Sequence, residues 1–226
     1  MGKNRLINNV NDAQSANLRE ISMGNIAPHV LFRSSHPIKE RKQEKAIASL
    51  AANARVASVI NLSDTESSLN AKVSLSPWYN NLFKDSRVIA LGMDFDFTSG
   101  FFNVKLKQAM QFIIKTEGPW LIHCHAGVDR TGFVSMVLES LMGASIDDIS
   151  RDYLESFSSS YDSSIYTGAD NDGSLMVMQL LSVMGGPEIN DQNLQGIAEN
   201  YLMRAIGLTA EEIAQLKKKL SGDGMP

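Results

Sequence analysis

Only one cysteine, Cys124, occurs in the 226 residues. No internal disulfide can form, and a reducing compartment is the natural setting, so a cytoplasmic location is expected, with secretion into the medium or a host as the alternative. Long apolar runs are missing too: none approaches the roughly 18 residues a membrane helix needs, which argues against stable membrane insertion. The opening residues, Met1 to Asn9, lack the apolar centre of a signal peptide, and Leu6 breaks the myristoylation pattern that Gly2 would begin. Positive charge is scarce, with 21 Lys and Arg against 25 Asp and Glu and a net charge of -4. A general nucleic-acid binder concentrates its cations, so nucleic acid is not an expected partner and any anion site must be local. There is no Gly-Lys-Ser or Gly-Lys-Thr, which excludes a nucleotide P-loop. One cysteine and four scattered histidines offer no zinc ligand set, and neither a metal nor another cofactor is expected.

What is present is an ordinary globular composition: 43% hydrophobic, 20% charged, with a mean hydropathy of -0.12. A chain of this length can build one substantial core, so residues 1–226 are read as a single domain. Residues 1–28, rich in Asn, read as an irregular arm. Val30 to Arg33 reads as a short strand, and Pro37 opens a helix that reaches about Asn53. Val56 to Leu62 is β-branched and bounded by polar residues, hence a strand. A polar stretch follows from Ser63 to Ser86. Val88 to Leu91 is a third strand, and Asn103 to Thr116 a helix with Leu106, Met110 and Ile113 on one face.

Pro119 to Cys124 is a short apolar strand that runs into a small-residue turn and then a helix from about Thr131 to Met142. That helix is apolar nearly all round and is expected to be central and buried. Ser145-x-x-Asp148 and Thr209-x-x-Glu212 resemble capping boxes and start helices near 146–156 and 210–220. Between them, residues 158–174 are dense in Ser, Asp and Gly and read as a mobile loop, either a lid or a solvated connection. Strands alternating with helices give an α/β fold: a central, mostly parallel sheet flanked by helices, with helical C-terminal additions and a ligand site at the carboxyl ends of the strands.

Cys124 sits at such an end, in His123-Cys124-His125-Ala126-Gly127-Val128-Asp129-Arg130-Thr131-Gly132. A free thiol is mostly protonated at neutral pH, but a helix N-terminus and nearby cations favour the thiolate. Backbone N–H groups from His125, Ala126, Gly127, Val128, Asp129 and Arg130 can converge on a phosphate dianion, with the helix dipole adding attraction. The planar fork of Arg130 can hold two phosphate oxygens and suits the equatorial oxygens of a phosphoryl transition state. Thr131 is placed to donate to the sulfur, and His123 to orient the turn from behind. Taken singly, each residue has a bland explanation, such as an inert core thiol, a surface charge or a helix cap for Asp129. The agreement of strand, glycine turn and helix in one segment is what outweighs those explanations.

The segment resembles the signature of the protein tyrosine phosphatase superfamily: Cys, five residues, Arg, then Ser or Thr. Its ending, Asp129-Arg130-Thr131-Gly132, is similar to a bacterial group of tyrosine and lipid phosphatases that includes secreted mycobacterial and Listeria enzymes. Leu31-Phe-Arg-Ser-Ser-His-Pro37, Val59-Ile-Asn-Leu62, Asp152-Tyr-Leu-Glu-Ser156 and Tyr201 to Thr209 also look like motifs of that group, so the resemblance covers roughly residues 18–220. It implies a phosphatase-like fold and hydrolysis of phosphomonoesters through a cysteinyl-phosphate intermediate. It also implies a phosphorylated protein or a phosphoinositide as the substrate partner. Val128 departs from the group, which commonly has Lys there, and the missing rim charge favours phosphotyrosine protein over phosphoinositide. The competing readings are a phosphoinositide or dual-specificity phosphatase and a non-catalytic phosphate-binding module.

Protonation of the leaving oxygen needs a general acid. By resemblance to the bacterial group this is Asp129, inside the turn. The rival is Asp96, whose distance before Cys124 matches the separate acid loop of dual-specificity phosphatases, with Asp94 behind it. Arg33 and His36 are expected to brace the turn. Trp78, Tyr79, Phe101 and Phe102 are read either as core or as walls for a phosphoaryl ring.

Overall fold

The computed structural model describes residues 16–38, 41–160 and 173–223. Five strands form one sheet in the order β1-β2-β5-β3-β4. They are β1 (Arg19–Ile21), β2 (Leu31–Ser34), β3 (Ser58–Asn61), β4 (Val88–Ala90) and β5 (Trp120–His123). All neighbours pair in parallel except β1, which runs antiparallel to β2 at the edge. β3 and β5 are buried at every position, as expected for strands covered on both faces by crossover helices. Alternation along each strand divides the core. Ile60 and Ile122 face one layer of helices, whereas Val59 and Leu121 face the other.

The second of those layers holds α1 (Arg41–Asn53), α2 (Glu66–Asn70) and α3 (Pro77–Lys84), which contribute Ile47, Leu69 and Tyr79. The first holds α4 (Gly100–Lys115), α5 (Asp129–Leu141), α6 (Ile146–Ser160), α7 (Gly173–Gly185), α8 (Leu194–Arg204) and α9 (Ala210–Leu220). Only α5 in that layer follows directly from the central strand β5. Every residue from Arg130 to Leu141 is buried, because the sheet lies on one side of α5 and α6, α7 and α8 pack against it.

The α/β architecture and the mostly parallel sheet agree with the sequence, but several boundaries move. Within the expected N-terminal arm, Arg19–Ile21 is a strand of the sheet. Pro37 and Ile38 form a turn, and the helix that follows is α1, from Arg41. The polar stretch 63–86 contains α2, a 3-10 turn over Val73–Leu75, and α3. Thr65 caps α2 by accepting from the Ser68 N–H, and Pro77 occupies the first turn of α3, so local capping overrides the weak hydrophobic pattern. Of the expected loop 158–174, α6 takes residues through Ser160 and α7 begins at Gly173, while 161–172 lie outside the described residues. Thr209 and Glu212 form the expected capping box, and the Ser145 hydroxyl accepts from the Asp148 N–H at 3.1 Å.

Candidate active site

β5 delivers Cys124 to the carboxyl edge of the sheet, and the chain turns at once into α5. Gly127 makes that turn possible: its φ is +76°, and a Cβ there would lie 2.5 Å from the Ser34 carbonyl oxygen. The Gly127 N–H points at the Cys124 sulfur, 3.3 Å away. Val128, which has no side-chain acceptor, is the N-cap of α5 and makes no capping bond. The first N–H groups of α5 are thus left uncapped by side chains, the arrangement in which a helix N-terminus receives an anion. Asp129 therefore occupies the first helical position rather than the cap, and its half-buried carboxylate makes no hydrogen bond among the described residues.

Three residues hold the turn from outside. Arg33, fully buried on β2, donates through Nη2 to the Gly127 carbonyl at 2.8 Å, while Nη1 engages Asp152 of α6. Asn17 donates to the same carbonyl at 3.0 Å and is itself gripped by Arg19, which also pairs with Asp152 at 2.7 Å. The His36 N–H donates to the His125 carbonyl at 3.1 Å. Behind His36, the Ile38 N–H donates to its Nδ1 at 3.0 Å, which leaves Nε2 to face Asp64 at 2.6 Å. Burial alone would raise the Asp64 carboxyl, but hydrogen bonds from His36, Lys72 and Asn61 hold it well below the carboxylate range.

His123 lies beneath Cys124. Its Nδ1 meets the Cys124 carbonyl at 3.2 Å, so the proton sits there, and Nε2 accepts from the Tyr79 hydroxyl at 2.8 Å. Burial, reinforced by neighbouring His36, holds the His123 pKa well below its usual value, so the ring is neutral scaffolding. The expected contact from Thr131 to sulfur is not made. The sulfur is served by the Gly127 amide, and the Thr131 Oγ1 is buried without a partner among the described residues. Ser135 and Glu139, one and two helical turns further along α5, are likewise buried and unpartnered there. Burial, then the charge of Asp152, pushes the Glu139 carboxyl well above its ordinary value and keeps it neutral.

Arg130 crosses to the opposite wall. Its Nη1 donates to the Met93 carbonyl at 2.9 Å, and the Phe95 ring lies over the guanidinium, 4.2 Å from ring centroid to Cζ. Asp96 is on this wall but not in the turn. Its carboxylate accepts from the Thr98 hydroxyl at 2.7 Å and from the Thr98 N–H at 3.1 Å, and these bonds lower its pKa. Of the expected aromatic walls, Tyr79 and Phe102 are core, Trp78 packs on that core, and Phe101 is exposed. The ring beside Arg130 is Phe95, in the loop between β4 and α4, where sequence alone does not tell which of Phe95 and Phe97 turns toward Arg130.

The model of the tyrosine phosphatase family matches residues 7–222. A protein of Cupriavidus necator named "Putative tyrosine-protein phosphatase" is 42% identical over 60 residues, a match covering 25% of this chain and 22% of that protein. The core catalytic domain of the Saccharomyces cerevisiae PP-IP phosphatase Siw14, solved with citrate, is 18% identical with a TM-score of 0.43, covering 82% of this chain and 94% of that one. A second structure of the Siw14 catalytic core gives 18% identity and a TM-score of 0.46 over 83% and 94% of the two chains. With the family model spanning nearly its whole length, this chain belongs to the tyrosine phosphatase family.

Proposed function

We propose that the chain is a phosphatase that hydrolyses phosphotyrosine in proteins, with Cys124 as nucleophile. The observation that supports this reading is the Cys124–Arg130 turn, where a thiol met by the Gly127 N–H, helix N–H groups uncapped by side chains and the Arg130 guanidinium fall within seven residues. In the first step the thiolate attacks phosphorus, the bond to the ester oxygen breaks, and the tyrosine oxygen leaves with a proton from a carboxylic acid. In the second, water attacks the cysteinyl phosphate, the acid's carboxylate accepts the water proton, and phosphate departs as the thiolate is restored. Arg130 binds two equatorial oxygens and stabilises their charge in both transition states.

Asp129 is the acid in this reading. It is half-buried beside the phosphate position, and a dianion next to it favours its protonated form. Asp96 suits the role less, because its exposed carboxylate is engaged by Thr98 and held ionised. A monophosphorylated substrate is favoured because Val128, 1% exposed, supplies no cation, and Phe95 offers an aromatic face beside Arg130.

The test is Cys124→Ser together with leaving-group chemistry. The serine variant is expected to lose at least about 10⁴ in kcat, the scale on which removal of a nucleophile acts. Activity within tenfold of the parent would end the thiol mechanism. Asp129→Asn is expected to slow a phosphotyrosine peptide by about 10² to 10⁴ and a highly activated aryl phosphate far less. The same pattern in Asp96→Asn instead would move the acid to the opposite wall. Faster turnover of phosphoinositides than of phosphotyrosine peptides would overturn the substrate assignment.

A further inference from the structure

Behind the Met93–Ser99 segment lies a cavity of about 250 Å³, which the proposed reaction does not use. Phe97, Val183 and Met184 give it an apolar side, while Asn103, Tyr201 and Arg204 give it a polar one. Two of these polar groups lack partners among the described residues: the hydroxyl of Tyr201, which is 6% exposed, and the buried Oδ1 of Asn103. Buried polar atoms in native proteins are almost always satisfied by protein or a bound species, so two orphans on one cavity point to an occupant. Arg204 makes no ion pair among the described residues, and no carboxylate side chain lines the cavity.

We propose that this cavity is a regulatory site for a small organic acid that carries an apolar body and a hydrogen-bond donor. The carboxylate of the ligand meets the Arg204 fork and the Tyr201 hydroxyl, its donor meets Asn103 Oδ1, and its body packs on Phe97, Val183 and Met184. Burial pushes Tyr201 up to about 12, so its hydroxyl remains a donor at neutral pH. The volume lies below the roughly 300 to 1,000 Å³ of drug-sized ligand sites, which limits the occupant to a compact molecule. Phe97 supplies the route to the active site. It stacks on Phe133 of α5 with centroids 4.7 Å apart, and it lies two residues from Phe95, the ring over Arg130. An occupant that presses on Phe97 therefore bears on the segment that contacts Arg130.

The binding half of this proposal is independent of the proposed reaction, whereas its effect on turnover rests on that reading, so the two are measured separately. Phenyllactate is the probe, with binding followed by calorimetry and ligand-observed NMR in the presence of excess inorganic phosphate. Saturable binding is expected, weakened at least about tenfold by Tyr201→Phe and by Arg204→Ala. Val183→Trp, which fills the cavity, is expected to abolish it. Displacement by phosphate, binding indifferent to all three variants, or no binding would each overturn the site. Separately, saturating phenyllactate is expected to change kcat or KM for para-nitrophenyl phosphate in the parent but not in Val183→Trp; bound probe with unchanged kinetics would overturn the regulatory role.

Discussion

The turn from Cys124 to Arg130 is fastened from several elements, whereas the side-chain hydrogen bonds of residues 94–98 across from it stay within that stretch, which Phe97 ties to the core. Gly127 alone receives Arg33 and Asn17, from β2 and the residues before β1, and His125 receives the His36 amide. On the other side Asp96 bonds to Thr98, Asp94 bonds to the Asp96 amide, and Phe95 is 61% exposed. The contrast separates two demands. Dipoles that stabilise charge at phosphorus must be in place before the reaction, since reorganising them costs rate. A wall that receives the rest of a substrate needs few buried contacts and can open at little cost.

The comparison breaks most readily at Arg33. Replacement by Met leaves Asp152 with one cation fewer and the Gly127 carbonyl with only Asn17, so urea denaturation is expected to show a loss of about 3 to 5 kcal/mol. A variant as stable and as active as the parent would mean that the bracing is incidental. Gly127→Ala comes next. The left-handed backbone and the 2.5 Å approach to Ser34 force the turn to shift, with an expected cost of about 1 to 3 kcal/mol in stability. Its effect on kcat is expected to be larger, about 10²-fold, as for small misplacements of reacting groups.

A pH titration sharpens the same contrast. The Asp64 pKa is depressed in the folded state, so its contribution is complete above the ordinary value of 3.8 and is lost as pH falls below it. Asp64→Asn is therefore expected to flatten the acid limb of the stability curve between about pH 4 and pH 2, read by thermal unfolding; an unchanged limb would detach Asp64 from the bracing. The smallest effect belongs to the opposite wall. Phe95→Ala is expected to alter stability by less than about 0.5 kcal/mol, and to raise KM for aryl phosphates about two- to fivefold, the value of one exposed cation–π contact. A stability loss several times larger would show that this wall is structural after all.

The residues legible in the sequence are those whose chemistry is local. Cys124, Gly127 and Arg130 lie within one strand–turn–helix, so spacing alone groups them. The parallel sheet was legible because β3 and β5 are short β-branched or apolar runs bounded by turns. Asp152, Asn17 and Phe95 were not recognised as neighbours of the site, since they arrive from other elements and are ordinary polar or loop residues by pattern. Glu139 was hidden for another reason: a single carboxyl in a helix otherwise read as apolar gives no sign that it will be sealed inside. The helices in 63–86 escaped because caps and a first-turn proline define them more than hydrophobic period does.

The central strand is the last to be made. β2 and β3 do not pair with each other; both pair with β5, so neither has its inner partner until residue 123 has been synthesised. At about 5 to 20 residues per second, the growing chain carries β2 with an open inner edge for several seconds after it is made. During that interval the strands Leu31–Ser34 and Ser58–Asn61 present unpaired backbone groups that another extended chain can pair with. Slow codons between β3 and β5 are therefore expected to send more of the product into aggregates, read as the soluble fraction of a recoded gene against the parent's.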